Sequence, residues 1–382
     1  MDSIAAAEGA AMSGSFLDYI KAVEDGRIAG MTTYPLDEVL LTILVGLLCR
    51  MEDFDEIAMF GEEQLDWLRR FLPFVNGVAP AQTLRRALRA LDPKALQGAF
   101  SSWVASLQAK VSGQSPGVVA IDGKTLRGSK RDKSGSGALH VVSAYAHEAG
   151  LVLAARAVET KGNEITAIPE LLDMLALEGA VVTIDAMGTQ KAIAARIVEK
   201  GADYVLACKE NQAALHADVE EFFADPALAG ACKEHRQTDA GHGRIEERSA
   251  RVADAGWLAE RHPQWKGLRS IAAIACRRTD KKTEAASKET RFYISSLPPD
   301  PEQLLAASRA HWSVENNLHW TLDVTFREDE CRIRKDYSAI NLAMIRHAAL
   351  NILKRDATKI PIKRKRVKAA INPDFRAALL IC

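Results

Sequence analysis

The chain has 382 residues, of which 48% are hydrophobic and 26% are charged. This balance is ordinary for globular proteins, so a disordered, collagen-like or disulfide-scaffold chain is excluded, and the length suggests two or three domains. The 50 Lys and Arg residues equal the 50 Asp and Glu residues, so the net charge is zero. A globally basic nucleic-acid protein is thereby excluded, whereas local basic patches are not.

Signals for redox chemistry, membranes and export are absent from the sequence. The six cysteines form no C-x-x-C pair, which argues against a zinc ribbon and fits free thiols in a reducing cytoplasm. No stretch approaches the ~20 apolar residues of a membrane span. The Ala/Gly-rich start, Met1 to Gly14, lacks the basic region of a signal peptide. We therefore expect a cytoplasmic protein.

Helical periodicity dominates the beginning of the chain, and we interpret residues 1–112 as an N-terminal helical domain. The first predicted helix is capped by Asp37 and contains Leu40, Leu41, Leu44, Leu47 and Leu48. The other predicted helices are 53–60, 65–71, one that is capped by Thr83 and ends at Asp92, and 97–111. Arg85, Arg86 and Arg89 crowd one of these helices. That crowding is as compatible with a solvated face as with contacts to DNA.

Beyond a linker of small residues at 112–117, short apolar runs alternate with amphipathic helices. The expected strands are 118–121, 139–147, 151–159, 181–184 and 204–208, and the expected helices are 164–177, 189–200 and 212–223. This order predicts an α/β fold with a mixed sheet covered by helices, whose first part spans residues 113–224.

The predicted secondary structure changes twice in the second half of the chain. Residues 225–298 are predicted to be a β-rich insertion, with strands at 244–252, 268–277 and 290–297. Helical periodicity returns at 302–323 and 338–354, so residues 299–357 are interpreted as the second part of the core. Residues 358–382 form a basic C-terminal tail in this interpretation, because eight basic residues and one acid lie between Lys354 and Lys368.

The most informative feature is a near-duplication at two predicted strands. The sequence V-V-A-I-D ends at Asp122 and V-V-T-I-D ends at Asp185. A carboxylate at the end of a core strand is costly to desolvate unless a cation compensates it, and two such groups repel each other. Because Mg²⁺ is commonly held by one or two carboxylates, the pair predicts a divalent metal site. The alternative is that each aspartate only caps the turn that follows it.

A third acid, Glu315, lies in the helix that is predicted to begin at Glu302. Spacing places on one helical face Leu304, Ser308, His311, Glu315, Leu318 and Leu322. A lone glutamate on an apolar stripe needs a salt bridge or a metal, and the flanking Trp312 and Trp320 suggest dense packing. Rival acids in a charged run are Glu328, Asp329 and Glu330.

Basic residues surround these acids in sequence. Gly117 to Thr125 has the pattern G-x₅-G-K-T, one residue too long for a phosphate-binding loop, so a nucleotide-binding loop is rejected. The segment beyond it is predicted to be a flexible basic loop that suits a polyphosphate such as DNA; its cations are Lys124, Arg127, Lys130, Arg131 and Lys133. Its alternative is a solvated turn. Further cations follow a core strand (Lys209) and open an insertion strand (His242, Arg244).

Several ordered motifs together resemble a DDE-type insertion-sequence transposase of the H-repeat-associated group. They are A-I-D-G-K-T-L-R-G at 120–128, T-I-D-A-M-G-T-Q at 183–190, L-A-C-K-E-N-Q at 206–212, G-H-G-R-I-E-E-R at 241–248 and R-A-H-W-S-V-E-N-N-L-H-W-T-L-D-V-T-F-R-E-D at 309–329. The N-terminal helices, with Y-P-L at 34–36, are similar to that group's associated domain. The likeness extends from about residue 15 to residue 355.

The resemblance implies a ribonuclease-H-like mixed-sheet core interrupted by the β-rich insertion. By position, Asp122, Asp185 and Glu315 are implied to be catalytic and to hold two Mg²⁺ ions, for which Mn²⁺ substitutes, about 3.5–4 Å apart. The reaction expected is cleavage of double-stranded DNA at the element's ends, followed by strand transfer into target DNA. The residues expected to contact DNA are Lys124, Arg127, Lys209, Arg244 and His311.

The same resemblance implies a homodimer on DNA and association with the bacterial nucleoid. Ser308, His311 and Leu322 stand where many related enzymes have Tyr, Arg and Lys, so the side chains that grip the terminal phosphates differ from the common set. Two alternatives stay open, because the sequence does not separate them. One is a nuclease that cuts without joining, and the other is a domesticated, non-catalytic DNA-binding protein.

Overall fold

The computed structural model describes residues 14–28, 30–109, 117–130, 138–158, 164–241 and 243–381. The described residues group into two compact units that are each assembled from separate stretches of chain. The helical unit draws on the described residues within 1–113, 126–139 and 322–382, and the sheet unit on those within 114–125 and 140–321. The five-part division expected from the sequence cuts the chain at other points and stays a prediction.

Apolar helices pack at the start of the helical unit. Their bounds are α1 Phe16–Lys21, α2 Leu36–Leu48, α3 Phe54–Glu63, α4 Leu65–Leu68, α5 Ala81–Ala90 and α6 Pro93–Ala109. The N-cap of α3 is Asp53, whose Oδ1 accepts from the backbone N–H groups of Asp55 and Glu56 at 2.9 and 2.8 Å. The expected cap at Thr83 is wrong, because α5 already begins behind Pro80, whose fixed φ suits a helix entry.

Within the described part of the chain, nine strands form one sheet in the order β3-β2-β1-β4-β5-β9-β8-β7-β6. The strands are β1 Val118–Thr125, β2 His140–Ala146, β3 Leu151–Val158, β4 Val181–Ile184, β5 Asp203–Cys208, β6 Lys233–Gly241, β7 Arg244–Asp254, β8 Ser270–Asp280 and β9 Ala286–Ser295. Strands β1, β4 and β5 run parallel, and the other pairs are antiparallel. The predicted mixed α/β fold is confirmed.

The β-rich segment continues the core sheet, because β9 pairs with β5 from Val205↔Ser295 to Cys208↔Phe292. Strand β6 was not expected from the sequence. It is an outer strand of mostly exposed polar residues, and such a strand lacks the apolar run or alternation that marks a buried one.

Helices cover the sheet. They are α7 Glu164–Asp173, α8 Lys191–Glu199, α9 Ala213–Ala224, α10 Gly256–Arg261, α11 Pro301–Ser313, a π-helical turn Val314–His319, and α12 Trp320–Phe326, which continues into the helical unit. Helix α11 buries Leu304 and Leu305 in one apolar cluster with Val205, Val252 and Ile274 of the strands. Its C-terminal end is thereby held beside β1 and β4. No helix in the described ranges combines the length and apolar character needed to cross a bilayer.

The basic C-terminal tail is folded. Helix α13 (Ser338–Arg355) is followed by α14 (Ile362–Ile371) and α15 (Pro373–Ile381), and all three lie in the helical unit. Arg366 is buried; its Nε donates to the carbonyl of Leu47 at 2.8 Å, and its Nη1 lies 3.1 Å from Glu52 Oε1. Lys365 is also buried and donates to the carbonyl of Leu353 at 2.9 Å. These two cations of the run are therefore structural, since their partners lie within the fold.

We predict that Arg366→Ala lowers the free energy of unfolding by about 3–5 kcal/mol, because it strands the partly buried Glu52 carboxylate. The matched control is Lys363→Ala in the same helix, where the exposed side chain predicts a change within about 0.5 kcal/mol. Urea unfolding of both variants measures the difference. Equal, small effects of the two substitutions would contradict the buried role of Arg366.

Candidate active site

The two matched aspartates occupy equivalent positions on neighbouring strands. Strands β1 and β4 pair in parallel from Val118↔Val181 to Ile121↔Ile184, so Asp122 and Asp185 each come one residue beyond the last pair. Parallel neighbours lie about 4.8 Å apart, which brings the two carboxylates to one sheet edge. The expectation that β1 ends at Asp122 is wrong: β1 runs on to Thr125, paired with β2 alone. Asp122 therefore lies where β1 loses its β4 neighbour.

Asp185 also stabilises the turn behind its strand. Its Oδ1 accepts from the backbone N–H of Gly188 at 3.2 Å. The hydroxyl of Thr189 donates to the carbonyls of Asp185 and Ala207, at 3.1 and 2.7 Å. Asp185 therefore caps the turn, as one interpretation of the sequence expected, and it does so through Oδ1.

Asp122 lies in a strongly acidic environment. Burial raises the pKa of Asp122 from 3.8 to about 7; the backbone N–H of Gly123 opposes this, and the negative charges of Asp185, Glu164 and Glu315 add to it. The imidazole Nδ1 of His319 lies 3.5 Å from Asp122 Oδ2. Asp185, Glu315 and Glu164 are therefore close enough to Asp122 to act on it electrostatically.

Glu315 does not lie on the helical face that the spacing in the sequence indicated. Leu318 and Leu322 are buried as expected, but Glu315 is exposed, so its predicted place on the apolar stripe is wrong. The cause is the π-helical turn Val314–His319, whose i→i+5 bonding adds a residue to the turn and shifts the faces of the helix. Glu315 lines an open cavity of about 440 Å³.

The predicted dense packing around the flanking tryptophans is also wrong, because Trp312 is 37% exposed and Trp320 is 59% exposed. The guanidinium of Arg291 lies 4.5 Å from the centre of the Trp312 ring, a cation–π contact beside Glu315. This pair forms part of the cavity wall.

Two neighbouring cavities connect the acids to predicted DNA contacts. The first, about 300 Å³, is lined by Asp185, Lys209 and His311 among other residues. The second contains Glu315 and Arg244, and the two share the wall residues Glu289, Arg291, Tyr293 and Ser308. Asp185 and Glu315 therefore line two adjoining cavities, which are together called the groove of the sheet unit.

His311 lines this groove. Its Nδ1 is 3.1 Å from the hydroxyl of Thr183 on β4, and burial lowers its pKa, which favours the neutral imidazole. Ser308 is buried and within hydrogen-bonding distance of the Tyr293 hydroxyl, at 3.0 Å. Of the three positions that depart from the common set, His311 and Ser308 border the groove and Leu322 is buried.

The remaining predicted DNA contacts are distributed differently. Lys209 and Arg244 are exposed, and Arg244 Nε lies 2.8 Å from Glu246 Oε1. Lys124 is 9% exposed on β1, two residues beyond Asp122. Arg127 belongs to the helical unit, where its Nε lies 3.5 Å from Asp329 Oδ2. The predicted contributions of His242, Arg131 and Lys133 fall outside the described residues.

The rival acids all have basic partners in the helical unit. Arg346 Nη1 lies 3.8 Å from the buried Glu328 Oε1, Asp329 contacts Arg127, and Glu330 pairs with Arg327. Glu315, in contrast, acts on Asp122 within the sheet unit.

Residues that the sequence analysis missed complete the surroundings of Asp122: His319, Glu164 and His140. His319 is four residues beyond Glu315, so helical spacing could have found it. Glu164 and His140 carry no such signal, because only the fold brings α7 and β2 to Asp122.

Among the described residues, no three His, Cys, Asp or Glu side chains are already arranged around one point as metal ligands. The acids nonetheless fit a divalent cation, since the buried Asp122 carboxylate lies among other negative charges that a cation would offset. Asp122, Asp185 and Glu315 are the residues that could hold it.

The raised pKa of Asp122 predicts a pH-dependent stability in EDTA. Between about pH 4 and 7 the folded chain keeps a proton that the unfolded chain has lost, so stability should fall as pH rises through this window. Asp122→Asn removes this dependence, worth up to about 4 kcal/mol, and should flatten the profile of melting temperature against pH. Identical profiles for the two proteins would contradict the assignment.

Comparison with known proteins identifies the family. The family described as Transposase DDE domain matches residues 113–352, and the one described as DDE_Tnp_1-associated matches residues 17–104. "Putative transposase YncI" of Escherichia coli O157:H7 is 38% identical over 363 residues, which cover 94% of this chain and 92% of that protein.

A second relative, "H repeat-associated putative transposase YhhI" of Escherichia coli strain K12, is 36% identical over 95% of this chain and 97% of its own length. A solved piggyBac transposase, in a synaptic complex with hairpin DNA, gives a TM-score of 0.45 at 12% identity, covering 95% of this chain and 79% of that one. The resemblance seen in the sequence motifs is confirmed: the chain belongs to the DDE transposase family.

Proposed function

We propose that this transposase cuts double-stranded DNA at the ends of a mobile element and joins those ends to target DNA, using a divalent metal. The observation that carries the proposal is the cluster of Asp122, Asp185 and Glu315: burial raises the pKa of Asp122, and the negative charges of the other two acids raise it further. Such a cluster is the donor set that Mg²⁺ or Mn²⁺ prefers.

The three acids would contribute to metal binding from different elements of the fold. Asp122 and Asp185, at matched register positions on rigid strands, would bind the metal at a fixed edge of the sheet. Glu315 would complete the set from the π-helical turn that follows α11, beside the groove. Bound divalent ions supply charge that stabilises the attacking and leaving oxygens of a phosphodiester displacement. His319 would orient the Asp122 carboxylate from the π-helical turn.

The groove supports a phosphate-bearing substrate. Of the described residues that line its larger cavity, five are arginines and three are glutamates, so the wall next to Glu315 carries an excess of positive charge. The arginines are Arg244, Arg248, Arg278, Arg291 and Arg309. Cations that neutralise phosphates supply the sequence-independent part of DNA affinity. A local patch of this kind is compatible with a net charge of zero.

We predict that Glu315→Gln reduces both end cleavage and joining by more than about 100-fold, since loss of a metal ligand should exceed the 10–100-fold cost of losing its outer partners. The substitution keeps the shape of an exposed side chain, so folding and DNA retention should persist. The assay follows nicked and joined products in Mg²⁺, on DNA carrying the sequences that flank the gene.

The control is Glu302→Gln, an exposed glutamate in the first turn of α11, the helix that precedes the π-helical turn, and it should cleave like the parent protein. Robust cleavage by Glu315→Gln would remove Glu315 from the site. Nicked products without joined ones, from the parent protein, would favour a nuclease. DNA binding without either product would favour a non-catalytic DNA-binding protein.

A further inference from the structure

A buried acid, Glu164, lies next to the proposed site but is not one of its three proposed metal ligands. Glu164, the first residue of α7, is only 4% exposed, and its carboxylate contacts Nε2 of His140, which is 1% exposed. The other ring nitrogen of His140 lies 2.9 Å from the hydroxyl of Thr125. A chain of polar contacts thus joins β1, β2 and α7 within the sheet unit.

This polar chain packs directly against the backbone beside Asp122. A Cβ atom added to Gly123 would overlap both His140 Nε2 and Glu164 Oε1. The glycine that follows Asp122 is therefore required by space, because a side chain there would displace the His140–Glu164 pair. The negative charge of Glu164 also contributes to the raised pKa of Asp122, which supports the same proximity.

We propose that Glu164 is a fourth acidic group of the site, which strengthens divalent-cation binding by its charge from behind Gly123 while Asp122, Asp185 and Glu315 provide the direct ligands. This inference rests on the proposed function of the site. His140 holds the Glu164 carboxylate in place, and Thr125 in turn anchors His140. The arrangement adds negative charge without adding a ligand to the groove.

A second buried pair in the same unit provides the comparison. His262 Nε2 lies 2.6 Å from Asp218 Oδ2, and Arg261 Nη1 lies 3.1 Å from Asp218 Oδ1. Both Asp218 and His262 are 8% exposed, and neither borders the groove that contains Asp185 and Glu315. This Asp–His pair has the same chemistry but a structural role, so it separates the loss of a buried pair from the loss of charge at the site.

The test measures Mn²⁺ affinity of the full chain by the electron paramagnetic resonance signal of free Mn²⁺, with melting temperatures in EDTA. Glu164→Gln keeps the size and a hydrogen-bonding partner for His140 but removes the charge, and should weaken Mn²⁺ binding about tenfold. Its melting temperature in EDTA should stay level or rise, because the repulsion between Glu164 and the buried Asp122 carboxylate is relieved. Asp218→Asn should lower the melting temperature and leave Mn²⁺ affinity unchanged.

Equal Mn²⁺ affinities of the parent protein and Glu164→Gln would overturn the role of Glu164 and leave the three-acid site standing. No Mn²⁺ binding by the parent protein would overturn the proposed function and this inference with it. If Glu164→Gln does not fold, His140→Gln decides: it retains the Glu164 charge, so affinity within about threefold of the parent supports the inference, and a tenfold loss overturns it.

Discussion

The burial of the Asp122 carboxylate among other carboxylates at one edge of a sheet is the constraint on which the site depends. Strands β1 and β4 are parallel and in register, so the residues that follow Ile121 and Ile184 meet at that edge. Both residues are aspartates, and burial together with neighbouring acids moves the pKa of Asp122 to about 7. Such an arrangement costs stability in the apoprotein, and a bound cation would relieve that cost.

The rest of the sheet unit positions partners around this edge. Helix α11 packs on the parallel strands through Leu304 and Leu305, and the π-helical turn at its end directs Glu315 to the groove and His319 to Asp122. π-helical turns are frequent at functional sites because the extra residue redirects side chains that a regular helix would keep on its buried face. The strands β7 to β9 then provide the arginine-rich wall next to Glu315.

The sequence predicts features that depend on local pattern and misses those that depend on distant packing. The two apolar runs form strands, and Asp122 and Asp185 directly follow them in the sequence. This part of the fold could therefore be predicted. The π-helical turn could not, because a 3.6-residue period assumes a regular helix and places Glu315 on the buried stripe. The burial of Arg366 could not be predicted, because this residue lies in a run of basic residues that is typical of an exposed surface. Glu164 is distant from Asp122 in the sequence, and only the fold brings the two together.

The central claim is that Asp122 and Asp185 share a divalent cation, and anomalous diffraction from crystals grown with Mn²⁺ tests it most directly. The account predicts an anomalous peak within about 2.5 Å of a carboxylate oxygen from each aspartate. Carboxylates that point to opposite faces of the sheet, or a peak that contacts neither aspartate, would contradict it.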